Sequence, residues 1–171
     1  CELDLVEQML RSAAGESLAI SQKDVLISGW AMEARLYAED PTKGFLPATG
    51  ILEKYEEPSV LGCRVDSGVV EGDEVPIFYD PMVAKVIGHG SNRQEAIDVL
   101  ARSLDSFCIR GLPNNIVFLS AILKHDDFCS GNISTSFIPR VYPNGFENRA
   151  LEDSERKIFS SVAVSMEVLE L

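Results

Sequence analysis

The sequence predicts an α+β domain, an antiparallel β-sheet flanked by helices. Three observations carry that prediction. Stretches with period-two alternation crowd the middle of the chain, from about Gly29 to Gly90. Stripes at helical spacing lie before and after them. The order is a run of strands between helices, not an alternation of βαβ units. With 171 residues the chain is long enough for one domain with a sizeable core. Charged residues make up 25% and hydrophobic residues 46%, ordinary for a globular protein. The net charge of −12 argues against nucleic acid or an anionic membrane as a partner. No apolar run approaches the roughly 20 residues a membrane helix needs.

Taken in order, Leu3 to Ala14 form a helical pattern with Leu3, Val6, Leu10 and Ala13 on one stripe and Gly15 as the stop. No cap sequence precedes it, and Val162 to Leu171 stop inside an apolar-rich run, so the chain is expected to be a piece of a longer protein. Ser21 to Val25 read as a polar connection. Trp30, Met32, Ala34 and Leu36 alternate with Ala31, Glu33, Arg35 and Tyr37, a strand with one apolar face, and Glu33 and Arg35, which point the same way on the other face, are expected to pair as a structural ion pair. Pro41 to Pro47 is a loop, and Ile51 to Glu56 a short strand.

The centre of the chain, Gly62 to Lys85, reads as three strands in a meander. Cys63 to Val70 places Cys63, Val65, Ser67 and Val69 on one face and Arg64, Asp66 and Gly68 on the other. Gly72-Asp73 is a turn, Val75 to Tyr79 a strand broken by Asp80-Pro81, and Val83 to His89 the next strand. Ser91 and Gln94 suggest a capping box, opening a helix with the stripe Ala96, Ile97, Leu100, Leu104 and Phe107. Arg110 to Pro113 end it. Another helix is expected over Asn114 to Lys124, then a solvated charge cluster at His125-Asp126-Asp127 and a short strand over Ser134 to Ile138. Pro139 to Asn148 read as a boundary, and from Asp153 the pattern is helical, with Ile158, Val162 and Met166 on one stripe.

The four cysteines (Cys1, Cys63, Cys108, Cys129) form no C-x-x-C pair and have only His89 and His125 to assist, so a zinc site is not expected and free thiols in a reducing compartment are. Gly88-His-Gly90 lacks the further glycine or G-K-[ST] of a phosphate loop. Arg64 stands out: an arginine on a strand face is always charged and offers a rigid fork of donors, which can hold a developing negative charge. Read from the residues alone, Asp66 or backbone carbonyls would satisfy it as a structural arginine.

Five blocks change that reading. Leu3-Asp-Leu-Val-Glu-Gln-Met-Leu10, Gly29 to Pro41 (G-W-A-M-E-A-R-L-Y-A-E-D-P), Phe45-Leu-Pro-Ala-Thr-Gly50, Arg64-Val-Asp-Ser-Gly68 and Tyr79-Asp-Pro-Met-Val-Ala-Lys85 occur in order. Together, over about residues 2–138, the chain resembles the C-terminal part of the biotin carboxylase component of biotin-dependent carboxylases, which are ATP-grasp enzymes. Residues 139–171 resemble the passage that leaves this domain in α subunits of the propionyl-CoA type.

The resemblance implies a division into 1–20, the last helix of an ATP-grasp domain; 21–138, the biotin carboxylase C-terminal domain; and 139–171, a linker and the start of a subunit-assembly domain. It implies ATP- and bicarbonate-dependent carboxylation of biotin, with Arg64 contacting biotin and stabilising its enolate. Asp80 would hold a turn, and Lys85 would pair with an acid. In free-standing members of the family, Val86 to Arg93 lie at a dimer contact. ATP and Mg²⁺ or Mn²⁺ would be held by residues outside this chain, and the chain alone is expected to be inactive. The implied partners are the biotin carboxyl carrier domain of the same chain and a carboxyltransferase β subunit, in the cytoplasm of a bacterium or the mitochondrial matrix of a eukaryote. The competing reading is a non-catalytic assembly segment. Acetyl-CoA, methylcrotonyl-CoA and pyruvate carboxylases share most of the same blocks.

Overall fold

A computed structural model describes residues 3–76 and 80–169. The strands are β1 (Trp30–Tyr37), β2 (Glu39–Asp40), β3 (Leu46–Pro47), β4 (Gly50–Ile51), β5 (Lys54–Glu56), β6 (Cys63–Ser67), β7 (Glu74–Val75), β8 (Met82–Gly90) and β9 (Cys108–Arg110). The helices are α1 (Leu5–Ala13), α2 (Arg93–Ser106), α3 (Ile116–Leu123), α4 (Asp126–Ser130), α5 (Phe137–Val141) and α6 (Asp153–Leu169).

The organising layer is a three-stranded antiparallel sheet in the order β1-β8-β6, with α2 packed on one face. Alternation decides which face that is. Ala34 and Leu36 of β1 and Ala84 and Val86 of β8 turn inward with Ile97, Leu100 and Leu104 of α2, and all are buried. Gly88 lets the helix lie this close. A Cβ there would come within 2.7 Å of the Ala96 carbonyl oxygen and 2.8 Å of the Leu100 nitrogen.

The central meander does not form. β6 pairs directly with β8, and β7 leaves to pair with β4. The hairpin-like turn at Val70 to Asp73, closed by the Val70 N–H on the Asp73 carboxylate at 2.9 Å, carries Val75 away from β6 and buries it against the core. Residues 77–79 of the expected strand lie outside the described residues. The single strand expected over Ile51 to Glu56 is split because Leu52 turns into the core: β4 pairs with β7, and β5 pairs with β9.

Four further expectations shift. Asp4 caps α1, its carboxylate accepting the Glu7 N–H at 3.0 Å, so a cap is present after all. The cap of α2 is Asn92, not Ser91. Asn92 Oδ1 accepts the Glu95 N–H at 3.0 Å, and the Glu95 carboxylate reaches back to the Ser91 N–H at 2.8 Å and its hydroxyl at 2.6 Å. Gln94 instead donates to Asp98. His125 and Asp127 are no solvated cluster: His125 Nδ1 accepts the Asp127 N–H to cap α4, its ring meets Phe137 edge-on at 5.3 Å, and Asp127 pairs with Arg140 at 2.9 Å. The strand expected over Ser134 to Ile138 is instead a turn, with the Ser134 carbonyl accepting the Phe137 N–H, that leads into α5. Pro139 sits in its first turn, where an N–H has no helical partner to lose.

Around this layer, α3 to α5 close the far end. Phe118 is the hinge of an aromatic cluster with Phe45, Tyr142 and Phe146, at ring separations of 4.8, 5.7 and 5.2 Å. α1 and α6 carry apolar side chains into solvent. Leu5, Val6, Met9 and Leu10 are exposed on the first, and Ile158, Phe159, Val162 and Met166 on the second.

Candidate functional site

The outer face of the three-stranded sheet is polar, and register makes it so. Glu33, Ile87 and Arg64 lie side by side across β1, β8 and β6, and Arg35, Lys85 and Asp66 form the next row. Partners in an antiparallel register share a face, so Arg64 is brought onto one surface with Arg35 and Lys85. Three cations meet two anions there, in a chain whose net charge is −12. The face is therefore locally positive.

Each arginine is steadied by an acid two residues away on its own strand. Arg35 Nε donates to Glu33 Oε1 at 2.9 Å, as expected from the sequence. Arg64 Nε lies 3.1 Å from Asp66 Oδ1, and its Nη2 donates to Oδ2 at 3.2 Å. Both pairs are solvent-exposed, with Arg64 at 71% and Arg35 at 59% side-chain exposure. Such pairs contribute at most about 1 kcal/mol each, so they aim the guanidiniums more than they hold the fold. Glu33 first, and then Tyr37, hold the Arg35 guanidinium above its already high range. Lys85, half-buried between the arginine strands, makes no ion pair among the described residues, although one was expected.

The two arginines differ in what lies next to them. β1 is an edge strand, and along its free side runs a cavity of about 340 Å³ lined by Glu33, Arg35, Tyr37, Glu39, Asn115 and apolar residues of α2, α3 and α4. That is the size of a small-ligand pocket, and its lining is apolar with a few convergent polar groups. Arg64 is not among the residues lining this cavity. Asp80 accepts the Met82 N–H at 3.0 Å and so holds the turn into β8. Tyr79 lies outside the described residues.

Sequence reasoning passed over Arg35 as a structural ion pair. The signal was present, since Glu33 and Arg35 fall within the longest motif block, Gly29 to Pro41. Its position beside a cavity was not, because α3 and α4 supply the opposite wall. Among the described residues no group of three or more His, Cys, Asp or Glu is placed to hold a metal ion, and no helix is long and apolar enough to cross a membrane. Cys63, Cys108 and Cys129 are free, half-buried thiols.

A helix-backed antiparallel sheet presenting arginines on its open face and along a cavity at its edge defines an anion-facing α+β module. Residues 33–140 match the family model of the biotin carboxylase C-terminal domain, and the chain belongs to that family. It is 46% identical over 171 residues to the mitochondrial propionyl-CoA carboxylase alpha chain of Caenorhabditis briggsae, covering 99% of this chain and 23% of that protein. Over 135 residues it is 49% identical to the mitochondrial methylcrotonoyl-CoA carboxylase subunit alpha of Glycine max, covering 79% of this chain and 18% of that one. The biotin carboxylase domain of the Hydrogenobacter thermophilus 2-oxoglutarate carboxylase, a dimer in complex with MgADP, ADP and bicarbonate, superposes with a TM-score of 0.81 at 34% identity, over 86% of this chain and 32% of that one. The chain thus spans about a quarter of the length of the curated propionyl-CoA carboxylase relatives it matches.

Proposed function

We propose that this chain forms the biotin-facing part of an ATP- and bicarbonate-dependent biotin carboxylase, within the α chain of a propionyl-CoA-type carboxylase. Biotin, when bound, offers a ureido nitrogen to carboxylate and a ureido oxygen on which negative charge develops as that nitrogen loses its proton. The residues present suit that group. Arginines are permanent cations and donors only. A guanidinium fixed by an acid on its own strand meets a growing oxyanion without reorganising, so it favours the transition state over the ground state.

The resemblance assigned the oxyanion role to Arg64. The observation that best supports the reading points to its neighbour on the same face: Arg35 is the arginine beside the cavity, and we assign the charge-bearing role to it. Arg64 and Lys85 then contribute to the positive field. ATP and Mg²⁺ or Mn²⁺ belong to residues outside this chain. The carrier domain of the same chain delivers biotin, and a carboxyltransferase β subunit receives the carboxyl group. The compartment is the mitochondrial matrix in a eukaryote or the cytoplasm in a bacterium. We assign residues 1–20 to the preceding ATP-grasp domain, 21–138 to the C-terminal domain and 139–171 to the passage out of it. The exposed stripe of Ile158, Val162 and Met166 favours a second role, in assembly, for that last part.

The test is bicarbonate-dependent ATP cleavage by the full-length protein with and without free biotin. Arg35→Ala is expected to lose the biotin stimulation on the order of a hundredfold while keeping slow biotin-independent turnover. Arg64→Ala should keep most of the stimulation. The reverse pattern returns the role to Arg64. If both variants match wild type, the sheet face does not meet biotin, and assembly is the better reading for the whole chain.

A further inference from the structure

We propose that Asn115 is a positioning residue for Arg35, acting with Glu39 as a clamp on the free edge of β1. The inference rests on the reading of Arg35 given above. An edge strand leaves every second N–H and C=O without a ladder partner. At Arg35 and Tyr37 one residue from another element fills those places. Asn115 Oδ1 accepts the Tyr37 N–H at 3.0 Å, its Nδ2 donates to the Arg35 carbonyl at 3.2 Å, and its own backbone N–H donates to the Tyr37 carbonyl at 3.3 Å. The second Nδ2 proton goes to Glu39 Oε1 at 3.0 Å, which fixes the amide's orientation.

Asn115 therefore stands in for a fourth strand over the two residues that flank the cavity mouth. It is 4% exposed and occupies the residue position immediately before α3. The sequence gap is long, 78 residues to Tyr37 and 76 to Glu39, so the clamp forms only when α3 docks on the sheet. A side chain that only capped α3 would hydrogen-bond within its own helix, and Asn115 makes no such side-chain cap. Its polar groups are instead spent on the backbone that carries Arg35. This matters for chemistry because a guanidinium displaced by about an ångström from a developing charge loses much of its effect.

The substitution that isolates the clamp is Asn115→Asp. The new carboxylate keeps an acceptor for the Tyr37 N–H, but it loses the donor to Arg35 and faces Glu39 with like charge. In the full-length protein we expect kcat/KM for free biotin to fall at least tenfold, with KM for ATP and the biotin-independent ATP cleavage unchanged. Adding Glu39→Gln supplies an amide that donates to the new carboxylate but does not restore the donor to the Arg35 carbonyl, so this double variant should recover part of the loss and not all of it. A readout free of turnover accompanies it. Amide hydrogen exchange at Tyr37 should stay slow in Asn115→Asp and become fast in Asn115→Ala.

Equal losses in biotin-dependent and biotin-independent turnover, or no recovery in the double variant, would make Asn115 merely structural and overturn the proposal. So would a Tyr37 amide equally protected in Asn115→Ala. If Arg35→Ala abolishes stimulation and Asn115→Asp behaves as wild type, only the clamp fails. If Arg35→Ala itself behaves as wild type, the reading of Arg35 fails and the clamp's catalytic meaning falls with it.

Discussion

Replacing Gly88 with alanine tests the contact on which the sheet face depends. A Cβ at this position would sit 2.7 Å from the Ala96 carbonyl oxygen, 2.8 Å from the Leu100 nitrogen and 2.9 Å from the Leu100 Cβ. All three atoms belong to α2, and two are backbone, so no side chain can swing aside. Relief requires α2 to retreat by roughly 0.7 Å to reach ordinary contact near 3.5 Å. That retreat loosens Ile97, Leu100 and Leu104 along the whole interface, all of them buried. A gap of this size forfeits roughly a quarter of each contact's attraction. Overpacking costs about 1–3 kcal/mol, and the upper end applies where backbone must move. At about 2–4 °C per kcal/mol for a chain of this length, Tm should drop by about 6–12 °C. Urea denaturation followed by circular dichroism should show a lower midpoint with an unchanged slope. Gly68→Ala is the internal comparison, because its nearest atom would be the Val83 carbonyl oxygen at 3.8 Å, an ordinary contact. Equal stability of the two variants, within about 0.5 kcal/mol, would refute the claim that α2 rests directly on β8.

Other expectations follow from the caps and the buried groups. Asn92→Ala should cost about 1 kcal/mol, read as a lower urea midpoint, because the Glu95 N–H loses its acceptor. The Glu95 carboxyl is held below its ordinary range, first by the Ser91 hydroxyl and then by the Ser91 N–H. A depressed carboxyl contributes stability above its unfolded pKa and loses it as pH falls through the folded value, so Glu95→Gln should flatten the acid limb of a Tm-against-pH curve. Glu39 has the opposite sign. Burial pushes its carboxyl up, with the Asn115 hydrogen bond pulling partly back. Folding therefore favours its protonated form more than the unfolded chain does, and that contribution is lost as pH rises through the folded value. Glu39→Gln should therefore gain on wild type in thermal melts as pH rises from about 4. Phe146→Ala should cost about 3 kcal/mol in urea, since a side chain that is 6% exposed leaves a hole against Phe118 and Tyr142.

Much of the fold was legible because its main elements are local patterns. The alternation of Trp30 to Tyr37 and the stripe from Ala96 to Phe107 each name a face without help from elsewhere, and their faces meet. What failed to show was decided by partners. The two-residue strands β4 and β7 exist only because each finds the other's edge, and the short β9 because it finds β5, so Arg110-Gly111 read as a stop and not as the end of a strand. Ser134 to Ile138, expected as a strand, are instead a turn that leads into α5. The site followed the same division. Arg64 reads as a lone cation on a strand face and Arg35 as half of an ion pair, but register puts both on one surface and α3 closes a cavity beside Arg35.

The positive face also explains why its acids are not wasted. Glu33 and Asp66 each cancel a charge on paper, yet both lie two residues from their arginine on an extended strand, to one side of the guanidinium. An exposed pair of this kind is weak, so the field beyond it is reduced and not abolished. What the acid contributes is direction, since an Nε partner biases the guanidinium toward one orientation before any ligand arrives. Lys85, half-buried in the middle of its row between Arg35 and Asp66 and without an ion-pair partner among the described residues, then supplies the net charge. Binding at such a face should weaken as salt rises, because its attraction for an anion acts across solvent within a Debye length of roughly 10 Å at 0.1 M ionic strength.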